Sequence, residues 1–260
     1  MELKIKNKKS FMTFMVVVIT LSLIVEALIC LGFPSWLYAV LMWIPTISAV
    51  IANKGRIKCF RRCKLKYIIF SLLLPFTYIG IPYFIVWKVF PDSFINQGSI
   101  LYVLIVITLG TIISLLTALG EEIGWRGYMF TTLNKEYGLN KALIVTSLFW
   151  CIWHLPLLIW GSYMNTTPIW YRIPAFILCI FPLGIVEGLL TLKSNSIWPA
   201  AILHATHNNY DQVLFGQLTN GDKLGYFVSE TGIYTIILIW FIAVFLYLDV
   251  SKENKNEKSI

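Results

Sequence analysis

Apolar runs at 11–32, 36–52, 67–87, 99–119, 142–161, 173–192, 196–215 and 232–249 take up most of the 260 residues. A bilayer core of ~30 Å is crossed by ~20 residues of helix, so each run is a candidate span. Composition agrees, with 58% hydrophobic and 13% charged residues, against about 25% charged in an average soluble domain. The expected fold is all-α: a polytopic membrane bundle of about eight transmembrane helices, forming a single transmembrane domain over 1–260. The first run follows Lys4, Lys6, Lys8 and Lys9 as a signal peptide would. It outlasts a 7–15-residue signal core and offers no small-x-small cleavage site, so it reads as a retained first span.

A net charge of +8 would suit a nucleic-acid partner, but the positions of the charges argue against one. Threading eight spans from a cytoplasmic N-terminus puts 1–10, 53–66, 120–141, 193–195 and 250–260 inside. Those segments hold 18 of the 21 Lys and Arg; Lys88, Arg172 and Lys223 are the rest. This is the bias of an integral membrane protein with both termini in the cytoplasm, and the basic loop 54–66 then faces anionic headgroups. Lys-, Ile- and Asn-rich usage suggests a bacterial plasma membrane. Cys30, Cys59, Cys63, Cys151 and Cys179 are odd in number and mostly in or beside spans, which argues against a disulfide framework. The outer loop at about 216–231 reads as irregular from Gly216, Gly221, Asp222 and Gly225, and the tail 251–260 as frayed.

Ionisable residues inside spans are costly and usually face a protein interior or a wet cavity. In Leu119-Gly-Glu-Glu-Ile-Gly-Trp-Arg-Gly-Tyr-Met129, Glu122 and Arg126 are four apart and can pair on one helical face. That leaves Glu121 for other chemistry, and two close carboxylates raise one pKa toward that of a general base. The helix is expected to run to about Asn134 and stop by Gly138. Such a helix would be too long to stand upright, so a tilt, or a break near Gly110 or Gly120, is expected. In Ser147-Leu-Phe-Trp-Cys-Ile-Trp-His-Leu-Pro156, aromatic residues crowd His154. In Ile197-Trp-Pro-Ala-Ala-Ile-Leu-His-Ala-Thr-His-Asn-Asn209, His204 and Asn208 share a face, with Asp211 further along it and His207 near its edge. Counted along the helices, Glu121, His154 and His204 fall at similar depth. Glu187 and Glu26 read as interhelical hydrogen-bonding groups, and Asp211 either as an orienter of His204 or His207 or as a cap on a wet helix end.

Glu121-Glu122-x-x-x-Arg126, then His154, then His204-x-x-x-Asn208, on successive spans, resemble the motifs of the CAAX-prenyl endopeptidase and bacteriocin-processing family of intramembrane proteases, also called CPBP or Abi. The resemblance covers about 115–212, the family-like catalytic core. The family's second motif is aromatic-x-x-x-His, usually with Phe; Trp150 stands there in this chain. The resemblance implies peptide-bond hydrolysis in the membrane. Glu121 and His154 would activate water, His204 and Asn208 would stabilise the oxyanion or help hold a metal, and Glu122 with Arg126 would order the site. Family members have been described both as metalloproteases and as metal-free glutamate proteases. The expected mechanism here needs no cofactor, with zinc on Glu121, His154 and His204 as the other route. The implied partners are membrane lipid and a membrane-associated or lipidated peptide or protein, reaching the site from the membrane or the cytoplasmic side. The alternatives are a non-proteolytic scaffold, a bacteriocin-immunity protein and a small-solute or proton-coupled transporter; against the last, no internal repeat is evident.

Overall fold

The computed structural model describes residues 8–95, 99–161, 163–221 and 223–258. Lys4, Lys6 and Asp222 lie outside the described residues. We number the eight helices α1 (Lys8–Cys30), α2 (Leu37–Ala52), α3 (Leu65–Val89), α4 (Ile100–Tyr137), α5 (Leu139–Ile159), α6 (Ile169–Ser194), α7 (Trp198–Asn208) and α8 (Ile233–Lys258). No strand is present among the described residues, only an isolated bridge between Phe94 and Thr219. The protein is thus an all-α membrane bundle.

The eight apolar runs become eight helices of unequal reach. Six are long and apolar enough to cross a bilayer. At 16 residues, α2 rises only about 24 Å, less than the hydrocarbon thickness. The α-helical part of α7 is 11 residues and continues as a wide π turn over Asn209–Phe215. The tail expected to fray is helical, because α8 runs on to Lys258.

The long helix anticipated around 99–134 is a single element of 38 residues. It has no break. Wide π turns take up the geometry at Val106–Gly110 and Ile123–Phe130; turns of this kind cluster at functional sites. Its end is as the sequence indicates: Gly138 adopts φ +81°, a left-handed stop that glycine accepts without steric cost. The first π turn lies against α7, where Asn209 Nδ2 donates to the Val106 carbonyl at 2.9 Å. A backbone group that a regular helix would satisfy internally is thus met by a side chain, as a low-dielectric setting demands.

Lipid tails are as apolar as leucine, so helices associate through close approach and hydrogen bonds rather than through expulsion of water. Two glycine pairs provide that approach. Gly120 and Gly124 of α4 lie against Met42 and Pro45 of α2; a Cβ on Gly120 would come within 2.6 Å of the Met42 carbonyl oxygen. Gly184 and Gly188 of α6 lie against Ser147 and Leu143 of α5. Thr46 Oγ1 donates to the Gly120 carbonyl at 2.6 Å, and Trp153 Nε1 donates to Ser22 Oγ on α1 at 2.7 Å. The first half of α4 stays on the lipid side, with Ile100, Leu104, Ile112 and Leu116 exposed, while Ala118 to Phe130 turn inward.

Candidate active site

Four helices bring the polar residues together. Glu121, Glu122 and Arg126 come from the buried half of α4, His154 from α5, Glu187 from α6, and His204 with Asn208 from α7. A cavity of about 440 Å³ is lined by Glu121, His154, His204 and Asn208 among others. The sequence expectation that these four meet is matched in this arrangement.

The two adjacent glutamates have different surroundings. Arg126 Nη1 donates to Glu122 Oε1 at 2.8 Å, and the other arm of the guanidinium pairs with Glu187 Oε2. The guanidinium also lies 4.3 Å from the centre of the Trp150 ring. His204 Nδ1 donates to Glu122 Oε1 at 2.9 Å, which leaves Nε2 toward the cavity. Glu122, Arg126 and Glu187 are fully buried. Two carboxylates around one guanidinium, with an imidazole on the rim, form a closed ionic cluster. Charges this far from water persist only when paired in this way.

Glu121 is outside that cluster. Its Oε2 accepts from Trp150 Nε1 at 2.7 Å and from Trp125 Nε1 at 3.3 Å. Oε1 is the oxygen left for the cavity. Behind it, Trp125 is boxed by Phe14, Phe149 and Trp153 at ring separations of 6.0, 5.6 and 5.7 Å. The indole N–H groups therefore have fixed directions. His154 Nδ1 donates to the Trp150 carbonyl at 2.8 Å. That bond fixes the tautomer, so in the neutral ring Nε2 carries the lone pair. The substitution of Trp for the usual Phe in the aromatic-x-x-x-His motif now has a physical consequence: Trp150 supplies a donor to Glu121 that Phe lacks.

A second polar group forms the far wall, and the sequence gave little sign of it. His207 lies between Tyr78 Oη at 2.9 Å and Glu230 Oε1 at 3.1 Å. Tyr163 Oη donates to Glu230 Oε2 at 2.8 Å, and the Tyr163 ring stacks on His154 at 6.1 Å. Burial pushes the Glu230 carboxyl up, but its bonds with His207 and Tyr163 outweigh that and hold it below its ordinary value. Glu230 sits in an irregular loop with no motif around it, so only the fold shows its partners. Asp211 accepts from Tyr83 Oη at 3.2 Å and from Ser229 Oγ at 2.6 Å, and hydrogen-bonds neither His204 nor His207. Glu187 makes an ion pair where a simple interhelical hydrogen bond was expected. Glu26 is buried on α1 and Oε1 of its carboxyl has no hydrogen-bond partner, so the bond expected of it is not seen at that oxygen.

Among the described residues, one set of three metal-capable side chains has ligand atoms within 4.8 Å of one another, and it is Glu122, Glu187 and His204. Arg126 already occupies that place as its cation.

Residues 102–210 match the family described as type II CAAX prenyl endopeptidase Rce1-like. Over 138 residues the chain is 37% identical to a curated protein of Methanococcus maripaludis named CAAX prenyl protease 2; the match covers 51% of this chain and 47% of that protein. The chain spans about half the length of this curated relative. Glu121, Glu122, Arg126, His154, His204 and Asn208 all fall inside the family match, and by that core the chain belongs to the Rce1-like CAAX prenyl endopeptidase family.

Proposed function

We propose that the chain is an intramembrane endopeptidase in which Glu121 and His154 activate a water against a peptide carbonyl. The observation that carries this is the state of Glu121: one carboxylate oxygen is held by two indole donors and the other is left on a cavity shared with two histidines. As the water oxygen bonds to the carbonyl carbon, Glu121 takes the water's proton. His154 Nε2 accepts the water's other hydrogen bond and aims its lone pair. The carbonyl oxygen becomes an oxyanion and is met by the Asn208 amide and by Nε2–H of a protonated His204. The proton on Glu121 then passes to the leaving nitrogen as the C–N bond breaks. Glu122, Arg126 and Glu187 touch no reacting atom in this scheme; they hold His204 and the π turn of α4.

Zinc on Glu121, His154 and His204 is the other route. Zinc needs nitrogen and oxygen donors about 2.0–2.2 Å from one ion, and these three residues do not converge as Glu122, Glu187 and His204 do. The donor set does not fit the ion, so no step runs through it. The substrate is a membrane-associated or lipidated peptide, and the charge bias supports cytoplasmic termini in a bacterial plasma membrane. Against transport stands the dense core of Trp125, Arg126, Met129 and Phe130 on the basic side of the cavity.

The test is cleavage of a quenched-fluorescent peptide library by purified protein in nanodiscs, wild type beside Glu121→Gln, with and without a chelator. Cleavage lost in the variant and kept with chelator is expected. Cleavage lost with chelator and restored by zinc would overturn the metal-free route. A fully active Glu121→Gln protein would remove the proposed base.

A further inference from the structure

The catalytic cavity is not equidistant from the two ends of the bundle. Its rim is built by Tyr38 at the start of α2, Tyr163 and Met164 in the α5–α6 loop, Gln212 in the π turn after α7, and Glu230 in the loop before α8. All belong to one end. Gln212 is exposed and Tyr38, Tyr163 and Met164 are half-buried, so this is the side on which the cavity meets its surroundings. The other end is solid. Below Glu121 lie Trp125, Arg126, Met129, Phe130 and Leu133, all buried. The loop between α2 and α3 is strapped over them: Ile197 N donates to the Cys59 carbonyl at 3.2 Å, and Ser196 Oγ donates to the Arg61 carbonyl at 2.7 Å.

The charges mark the same two ends. The closed end carries both termini and 18 of the 21 Lys and Arg; the open end carries Lys88, Arg172 and Lys223. Two of these are not surface charges. Arg126 is fully buried at the closed end, and at the open end Arg172 is buried and donates to the Leu158 carbonyl at 2.7 Å. Setting both aside leaves seventeen cations against two. Lys and Arg near span ends are retained on the cytoplasmic side during insertion, so a bias of this size fixes an orientation.

We infer that the mouth of the catalytic cavity faces the non-cytoplasmic side of the membrane, and that the site takes peptide segments of exported or membrane-anchored proteins presented from that side. Prenylated cytoplasmic C-termini, which the family's name describes, would arrive at the closed end. The substrate side rests on the protease reading above; the orientation stands without it.

Two measurements separate the parts. In protoplasts expressing the full chain, a membrane-impermeant maleimide is offered to Asn165→Cys, in the exposed loop beside Met164, and to Lys54→Cys, in the basic loop, with the wild-type chain as blank. Labelling of Asn165→Cys at least tenfold above Lys54→Cys is expected, with the two becoming equal after permeabilisation. Any other pattern overturns the orientation. Right-side-out and inverted membrane vesicles are then given an impermeant quenched-fluorescent peptide library, and cleavage at least tenfold faster in right-side-out vesicles is expected. Cleavage equal in both, or faster in inverted vesicles, overturns outer access. No cleavage in either, or in detergent, with the labelling as expected, overturns the protease reading and with it the substrate, while supporting the outward mouth.

Discussion

Glu121 and Glu122 are neighbours on one turn of one helix, both almost fully buried, yet they belong to different regions. Glu122 lies in a closed cluster where Oε1 serves both Arg126 and His204, and a second carboxylate, from Glu187, completes the charge balance. Glu121 lies on an open wall, held from one side by Trp150 and Trp125. The difference teaches how a low-dielectric site keeps one acid reactive beside another that is structural. Full pairing removes an acid from the chemistry. Holding it by a single oxygen orients it and leaves the other atom available.

The widest contrast is between the two acids themselves. Glu121→Gln keeps the shape and both indole bonds but removes the base, so cleavage is expected to fall by roughly 10²–10⁴-fold with an unchanged melting temperature. Glu122→Gln should lower cleavage and melting temperature together. A Glu122→Gln protein that melts like wild type but does not cleave would break the division between the two regions. Next comes Arg126→Met, which leaves two carboxylates facing each other without their cation. Removing one partner of a buried pair costs about 3–5 kcal/mol, and thermal unfolding in detergent with a matched wild-type control reads that loss. Adding Glu187→Leu should recover part of it, because the second substitution removes one of the stranded charges.

Much of this division is legible in the sequence. Glu122 and Arg126 are four apart on a helix, and only a pair would be tolerated at that depth, which leaves Glu121 over. His154, His204 and Asn208 are legible for the same reason: polar groups at similar depth on successive apolar runs need a common destination. What was not legible depends on long-range packing. Glu187 could not be matched to Arg126 without knowing that α6 crosses α4 at that level. Glu230 and Tyr163 sit in loops without periodicity, and His207 finds them only after the chain has turned back. The π turns of α4 were anticipated as a break near Gly110 or Gly120. Apolar periodicity shows that a long helix must accommodate itself, but not that it widens at Val106–Gly110 and Ile123–Phe130.

Two substitutions sharpen the description of the open wall. Asn208→Ala removes one donor to the developing oxyanion, and losses of about 10²–10³-fold in kcat are typical for one such donor. KM should move little, since the interaction strengthens only in the transition state. Trp150→Phe restores the family's usual aromatic residue and deletes the indole N–H that binds Glu121 Oε2. A hydrogen bond to a charged group contributes about 1.5–3 kcal/mol, so roughly a tenfold loss of kcat or more is expected, with the fold retained. The same substitution leaves a six-membered ring for the Arg126 guanidinium, so the closed cluster should hold. A large fall in melting temperature would mean that Trp150 serves the cluster more than the wall.

The smallest effect should come from the far wall. Glu230→Gln retains the shape and an acceptor for Tyr163 but weakens the bond from His207, which is worth about 1 kcal/mol at a neutral acceptor. Glu230 is held below its ordinary pKa in the fold. A depressed carboxyl contributes stability that is fully present above its unfolded value and is lost as pH falls through the folded one. Wild type should therefore melt above Glu230→Gln at pH 7, and the gap should close in acid, below the ordinary carboxylate range. Because Tyr163 stacks on His154, the variant should also cleave a few-fold more slowly at neutral pH, where the carboxylate is ionised in wild type. A gap in melting temperature that widened in acid would reverse the sign and mean that Glu230 is protonated in the folded protein. The far wall would then hold a neutral acid donating to His207, where the arrangement described here has an anion receiving from it.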